Sequence, residues 1–108
     1  MIVTAWNNGQ HHLSGAGYGL KLDAADRDRY FHREWQSVTL ELESQAKRFD
    51  VNIAKPSFWS NACRELISAE IGCWLIQNGL APWTKGMPPK LILESMGGNR
   101  FRLRKAGK

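Results

Sequence analysis

Two runs decide the fold class of this chain: Val38-Thr39-Leu40-Glu41-Leu42-Glu43 and Arg48-Phe49-Asp50-Val51-Asn52-Ile53. In both runs apolar and polar residues alternate, which is typical of a β-strand with one buried face. The short connection between them favours an antiparallel hairpin, in which the glutamates of the first run face Lys47 or Arg48. The chain is therefore predicted to contain an antiparallel sheet.

Further short strands are predicted on both sides of this hairpin. Short runs of β-prone or alternating residues indicate four of them, at 2–6, 20–22, 91–93 and 100–104. A polar, Gly-rich loop over 9–19 separates the first two strands. A short helix is expected to begin after Asp23, a plausible N-cap, and to end at Arg33 or Glu34.

A single long helix is predicted from Ser57 to Asn78. Gly79 has the freedom to adopt the left-handed conformation that ends helices, and Pro82 stops the chain from continuing helically. On a helical projection, Glu70 points in the same direction as Trp59, Leu66 and Trp74. Glu70 is thus expected to be buried on the apolar face, where a carboxylate needs a partner.

These elements predict an α+β fold with one domain over residues 1–108. The expected architecture is a largely antiparallel curved sheet or an incomplete barrel of about five to six strands, with one long helix and one short helix. Residues 105–108 are expected to fray. The strand order, ending in a basic strand, is loosely similar to that of small DNA-binding pseudobarrels, although no motif supports more than this analogy.

Composition excludes several classes of protein. The chain has 108 residues, of which 43% are hydrophobic and 23% charged, and five are tryptophans, so one packed core is expected. No apolar run is long enough for a membrane span, and the first residues do not resemble a signal peptide. Cys63 and Cys73 are predicted to be reduced. We therefore expect a cytoplasmic protein that does not bind membranes.

Positive charge is concentrated at the C-terminal end. Residues 1–84 carry eight Lys/Arg and nine Asp/Glu, for a net charge of −1, whereas residues 85–108 carry seven and one, for a net charge of +6. Period-two alternation places three arginines on one face of the last strand. The first hypothesis is therefore a domain that binds nucleic acid or another polyanion. Its predicted binding residues are Arg100, Arg102, Arg104, Lys105, Lys90, Lys85 and, as a stacking surface, Trp83.

A competing hypothesis places the same arginines in ion pairs with Glu41 and Glu43 within the sheet. A second functional hypothesis is a small enzyme built around the loop Gly15–Gly19. Its candidate catalytic residues are His11, His12, Asp26, Asp28 and Glu70. A third is an accessory domain that binds another protein or forms a homodimer, which would bury some of the tryptophans.

Known motifs for cofactors and metals are missing from the sequence. The Gly-rich loop is followed by no Gly-Lys-Ser/Thr and leads into a strand, so it fits neither a P-loop nor a dinucleotide fingerprint. No cysteine, histidine or carboxylate spacing matches a metal site. We therefore predict no cofactor and no metal, and a binding domain is favoured over an enzyme.

Overall fold

The computed structural model describes residues 1–10 and 12–106, which form a seven-stranded sheet with three helices. The strands are β1 Ile2–Asn7, β2 Tyr18–Lys21, β3 Ser37–Leu42, β4 Arg48–Asn52, β5 Glu65–Ile67, β6 Lys90–Ser95 and β7 Arg100–Lys105. The helices are α1 Ala24–Tyr30, α2 Pro56–Trp59 and α3 Ala69–Gln77. None of the helices in these residues is long and apolar enough to cross a membrane.

The sheet is curved into a nearly closed barrel. Its strand order is β4-β3-β7-β6-β1-β2-β5, and the edge strands β4 and β5 approach each other. All neighbouring strands are antiparallel except β3 and β7, which are parallel. The predicted α+β class and curved, largely antiparallel sheet are confirmed, whereas the predicted five to six strands, with one long and one short helix, are wrong: the described residues form seven strands and three helices.

The hairpin that decided the fold class is present as β3 and β4. Val38 lies opposite Val51 and Glu41 opposite Arg48, and the Glu41 Oε2 atom is 3.0 Å from Arg48 Nε. Val38, Leu40 and Leu42 are buried, whereas the residues between them are partly exposed. The predicted alternation and the predicted cross-strand ion pair are both confirmed.

The prediction of one long helix from Ser57 to Asn78 is wrong. The segment instead contains α2, an irregular turn, strand β5 and α3. The hydroxyl of Ser60 accepts hydrogen bonds from the N–H groups of Ala62 and Cys63, and that of Ser68 accepts one from the N–H of Glu70. Such local bonds compete with the helical hydrogen-bond ladder. β5 then pairs with β2 and becomes the additional strand.

Helix α3 lies across one end of the barrel, between the β1–β2 loop and the β3–β4 turn. Gly72 packs directly on Gly15, because a Cβ atom at Gly72 would lie 2.6 Å from the Gly15 Cα atom. Trp74 is buried, and its indole N–H donates a hydrogen bond to the Glu43 carbonyl at 3.1 Å. The helix ends as predicted at Gly79, which has a φ of 70°.

Aromatic residues fill the other end of the barrel. Phe31, just after α1, stacks on Phe101 of β7 with a centroid distance of 4.6 Å and meets Phe58 of α2 edge to face at 5.3 Å. All three rings are buried. The two short helices thus attach to the central strand β7 through their aromatic side chains.

Candidate nucleic-acid interface

The three arginines of β7 lie on the outer face of the barrel. Phe101 and Leu103 are fully buried, whereas Arg100 and Arg102 are exposed and Arg104 is half-buried. This is the period-two arrangement that the sequence predicts. β7 is an interior strand of the sheet, between β3 and β6. Its arginines therefore form a row on the outer surface of the barrel, parallel to the strand.

Acidic residues on the neighbouring strands partly balance this row. Arg102 lies opposite Glu41 on β3 and opposite Glu94 on β6. The Nε atom of Arg104 is 3.1 Å from Glu94 Oε1. Glu43 is engaged differently, because its Oε1 atom accepts a hydrogen bond from the Lys105 backbone N–H at 2.9 Å. Internal pairing therefore involves Arg104, and within the described residues Arg100 and Arg102 form no ion pair.

Two predicted lysines add positive charge at one end of the sheet: Lys90 shares the outer face with the arginines, whereas Lys105 falls by alternation on the side of Phe101 and Leu103. Lys90 begins β6 and Lys105 ends β7, and the antiparallel pairing of these strands brings the two positions to the same end. Both side chains are exposed, and Lys90 Nζ donates a hydrogen bond to Thr4 Oγ1 at 3.0 Å. We call the exposed cations Arg100, Arg102, Lys105 and Lys90 the basic strip.

A cleft of about 410 Å³ lies beyond this end of the strip. Its lining residues are Asn7, Gly9, Trp83, Lys85 and Gly86. Trp83 meets Tyr18 edge to face, with a centroid distance of 5.8 Å. Sequence reasoning identified Trp83 and Lys85 but missed Asn7 and Gly9, since no local pattern shows that residues almost 80 positions away complete the same cleft.

The candidate catalytic residues are placed in different parts of the fold. The Nε2 atom of His12 is 2.6 Å from Gln10 Oε1 in the exposed β1–β2 loop, and His11 lies outside the described residues. Asp26 and Asp28 are on α1, and Asp28 Oδ1 is 3.0 Å from Arg27 Nε. The loop precedes β2 and α1 follows it, so His12 and the two aspartates of α1 lie toward opposite ends of the barrel.

Glu70 is not buried on an apolar face, contrary to the helical projection. That projection assumed one continuous helix, whereas Trp59 belongs to α2 and Leu66 to β5, so of the predicted apolar neighbours only Trp74 shares a helix with Glu70. It lies half-exposed in the first turn of α3, where Ser68 Oγ donates a hydrogen bond to Glu70 Oε1 at 2.6 Å. That hydrogen bond, the backbone cap at Glu70 and, to a lesser extent, Lys47 hold the Glu70 pKa below its usual value.

A second cavity, of about 370 Å³, lies beside Glu70. It is lined by Leu42, Gln45, Lys47, Ala69, Glu70, Cys73 and Gln77. Cys73 is a free thiol whose Sγ donates to the Ser14 carbonyl at 3.1 Å. In the part of the chain that the structure describes, no group of three His, Cys, Asp or Glu side chains is arranged to hold a metal ion.

Comparison with known proteins provides no relative: no family model, curated protein or solved structure matches this chain. The geometry and charge of the chain itself are therefore the basis on which its function is inferred.

Proposed function

We propose that this protein is a small domain that binds nucleic acid through the phosphate backbone. The supporting observation is the basic strip, in which Arg100, Arg102 and Lys90 share the outer face of the adjacent strands β6 and β7 and Lys105 is exposed at the end of β7. The segment that supplies them, residues 85–108, has seven Lys/Arg against one acidic residue, Glu94. A surface of this sign attracts polyanions and releases their counterions on binding.

The spacing of the strip suits a chain of phosphates. Neighbouring residues on one face of a strand are about 6.5–7 Å apart, so the side chains of Arg100 and Arg102 leave the strand at about the spacing of consecutive phosphates in one nucleic-acid strand. Guanidinium groups bind phosphate oxygens in a bidentate manner. Phe101 and Leu103 anchor the same strand in the core, so the cations are displayed on a rigid element.

The structure separates the arginines into two kinds. Arg104 pairs with Glu94, and its charge is partly satisfied inside the protein. Arg100 and Arg102 have exposed side chains and form no ion pair with a described residue. We assign phosphate binding to Arg100 and Arg102 and a mainly structural contribution to Arg104.

The test is a titration of labelled DNA and RNA at 50 and 200 mM salt. Each phosphate contact contributes about −0.9 to the log–log salt slope on duplex DNA and about −0.7 on a single strand. The double change Arg100→Gln/Arg102→Gln is therefore expected to flatten the slope by about 1.4–1.8 units. Arg104→Gln should alter the slope by less than either single change.

A matched control removes the same charge elsewhere. Arg29→Gln/Arg33→Gln changes two exposed arginines on and just after α1, outside the basic strip. This control should leave the slope unchanged. Equal flattening in both double variants would show that only net charge matters. The absence of binding to DNA and RNA at 50 mM salt would reject the nucleic-acid proposal.

The enzyme and homodimer hypotheses remain predictions. Substrate turnover that is lost in His12→Ala or Glu70→Gln would favour the enzyme. A mass that rises with concentration in light scattering would favour the homodimer.

A further inference from the structure

The cleft at Trp83 opens at the end of the barrel and not on its outer face. Asn7 and Tyr18 lie directly opposite each other in β1 and β2. By alternation they share a side with Ala5 and Leu20, which are buried in the core. Trp83 packs against the Tyr18 ring, so its own ring lies at the barrel rim. The cleft is therefore adjacent to the basic strip but faces a different direction.

The groups around the cleft are those that bind a nucleotide. Trp83 is half-buried and held by Tyr18, which makes it a fixed aromatic surface. Lys85 is exposed beside it and supplies a positive charge. The Asn7 Oδ1 atom accepts a hydrogen bond from the Gly9 N–H at 2.8 Å, and no described residue engages the Asn7 NH₂ group. An aromatic face, a cation and an amide donor match the base, the phosphate and the base edge of one nucleotide.

The walls of the cleft leave space for such a ligand. Gly9 and Gly86 have φ values of 92° and 83°, which glycine adopts without strain. Apart from its chain neighbours, a Cβ atom at either position would meet no atom of a described residue within 4 Å, so these residues leave both walls open. The volume of about 410 Å³ falls within the range of small-molecule sites.

The cleft lies close to the end of the basic strip marked by Lys90. Thr4 of β1 lies opposite Lys90, and β1 continues from there for three residues to Asn7. At about 3.4 Å per residue, the cleft begins about 10 Å beyond Lys90. That distance is short enough for consecutive nucleotides of one strand to contact both regions.

We propose that the Trp83 cleft takes one unpaired nucleotide of a strand whose phosphates lie on the basic strip. This inference rests on the proposed function and narrows it to single-stranded nucleic acid. A paired base in a duplex is stacked on both sides and cannot enter a cleft at the barrel rim without being extruded, which costs free energy. A base in a single strand has no such barrier.

The experiment compares three labelled probes of about 12 nucleotides at 50 mM salt: oligothymidylate, the same sugar-phosphate chain without bases, and a matched duplex. Wild-type protein is expected to bind oligothymidylate roughly 5- to 100-fold more tightly than the abasic chain, because base stacking on an aromatic ring contributes that much. Trp83→Leu, which keeps apolar contact with Tyr18 but lacks an aromatic face, should remove this difference and leave abasic binding unchanged. Trp83→Phe should retain part of it.

A matched control is Trp35→Leu, which changes another half-buried tryptophan at the opposite end of the barrel. It should leave the preference for oligothymidylate intact. The wild-type comparison of base-bearing and abasic probes needs no variant, so a loss of folding in Trp83→Leu does not prevent the test.

Each outcome is distinct. Equal wild-type affinity for the base-bearing and abasic chains, with a salt slope still present, would overturn the cleft inference and leave the proposed function standing. No binding of any probe would overturn both. Thymidine monophosphate binding as tightly as the oligonucleotide would assign the cleft to free nucleotides and overturn the assignment to a strand.

Discussion

Arg27 is a residue whose importance sequence patterns did not indicate. The residue is only 3% exposed, and its Nη1 atom donates hydrogen bonds to the carbonyls of Phe58 at 3.0 Å and Ser60 at 2.6 Å. These carbonyls lie at the end of α2, so one guanidinium connects α1 to the chain after β4. In the sequence, Arg27 stands among the charged residues Asp26, Asp28 and Arg29, a pattern typical of an exposed helix surface.

Arg27→Leu is expected to lower the free energy of unfolding by about 2–3 kcal/mol, because it leaves buried carbonyls without a donor. Arg29→Leu, on the same helix but exposed, should cost less than about 1 kcal/mol. Urea denaturation of the two variants and the wild type measures both values. Equal losses would show that the buried hydrogen bonds do not stabilise the junction.

At the scale of elements, the position of α3 depends on close backbone contact. Gly72 has no side chain to separate the helix from Gly15, and the Gly15 carbonyl lies where a Cβ atom would go. Gly79 ends the same helix in the left-handed conformation, in open space. The two glycines of one element therefore serve different physical purposes.

Gly72→Ala is expected to destabilise the protein by about 1–3 kcal/mol through overpacking. Helix propensity alone predicts the opposite change, since alanine normally stabilises a helix interior by about 1 kcal/mol relative to glycine. A loss of stability would therefore be due to the contact with Gly15. Gly79→Ala is the control for conformation alone and should cost about 1 kcal/mol. Thermal and urea unfolding give both values, and a stabilising Gly72→Ala would contradict the packing of α3 on Gly15.

At the scale of the whole molecule, both ends of the chain contribute central strands. β1 and β7 lie on either side of β6, so neither end can separate without splitting the sheet. The Met1 amino group also donates a hydrogen bond to the Leu93 carbonyl at 2.9 Å. The Cα radius of gyration is 12.9 Å, close to the value of about 13 Å for a single domain of about 100 residues. Unfolding of one part should therefore unfold the rest.

Urea unfolding monitored by tryptophan fluorescence and by far-UV circular dichroism is expected to give coincident transitions. Trp74 and Trp83 report on one end of the barrel and Trp35 and Trp59 on the other, so fluorescence samples both. Phe101→Ala should lower the free energy of unfolding measured by both probes by the same amount, about 3–5 kcal/mol, because the Phe101 ring of β7 is fully buried in the core. Separate transitions would show that the ends unfold independently.

The sequence by itself determined the features that depend on neighbouring residues. Alternation predicted β3, β4 and β7, with the correct residues facing the core, and Gly79 marked the end of α3. The concentration of charge after residue 84 indicated the basic strip. These signals are local, since side-chain direction in a strand and the conformational freedom of glycine are set within a few residues.

Only the tertiary structure decided the rest. β5 is a strand because β2 offers it a pairing edge, although Glu65–Ile67 is too short to be distinguished from helix by periodicity. Glu94 lies opposite Arg102 on β6, yet its carboxylate pairs with Arg104, and only the arrangement of the folded side chains shows which arginine it engages. Asn7 and Trp83 share a cleft because the loop between α3 and β6 packs Trp83 against Tyr18, which lies opposite Asn7. Each outcome depends on contacts between residues far apart in the chain, which form only when the whole barrel is assembled.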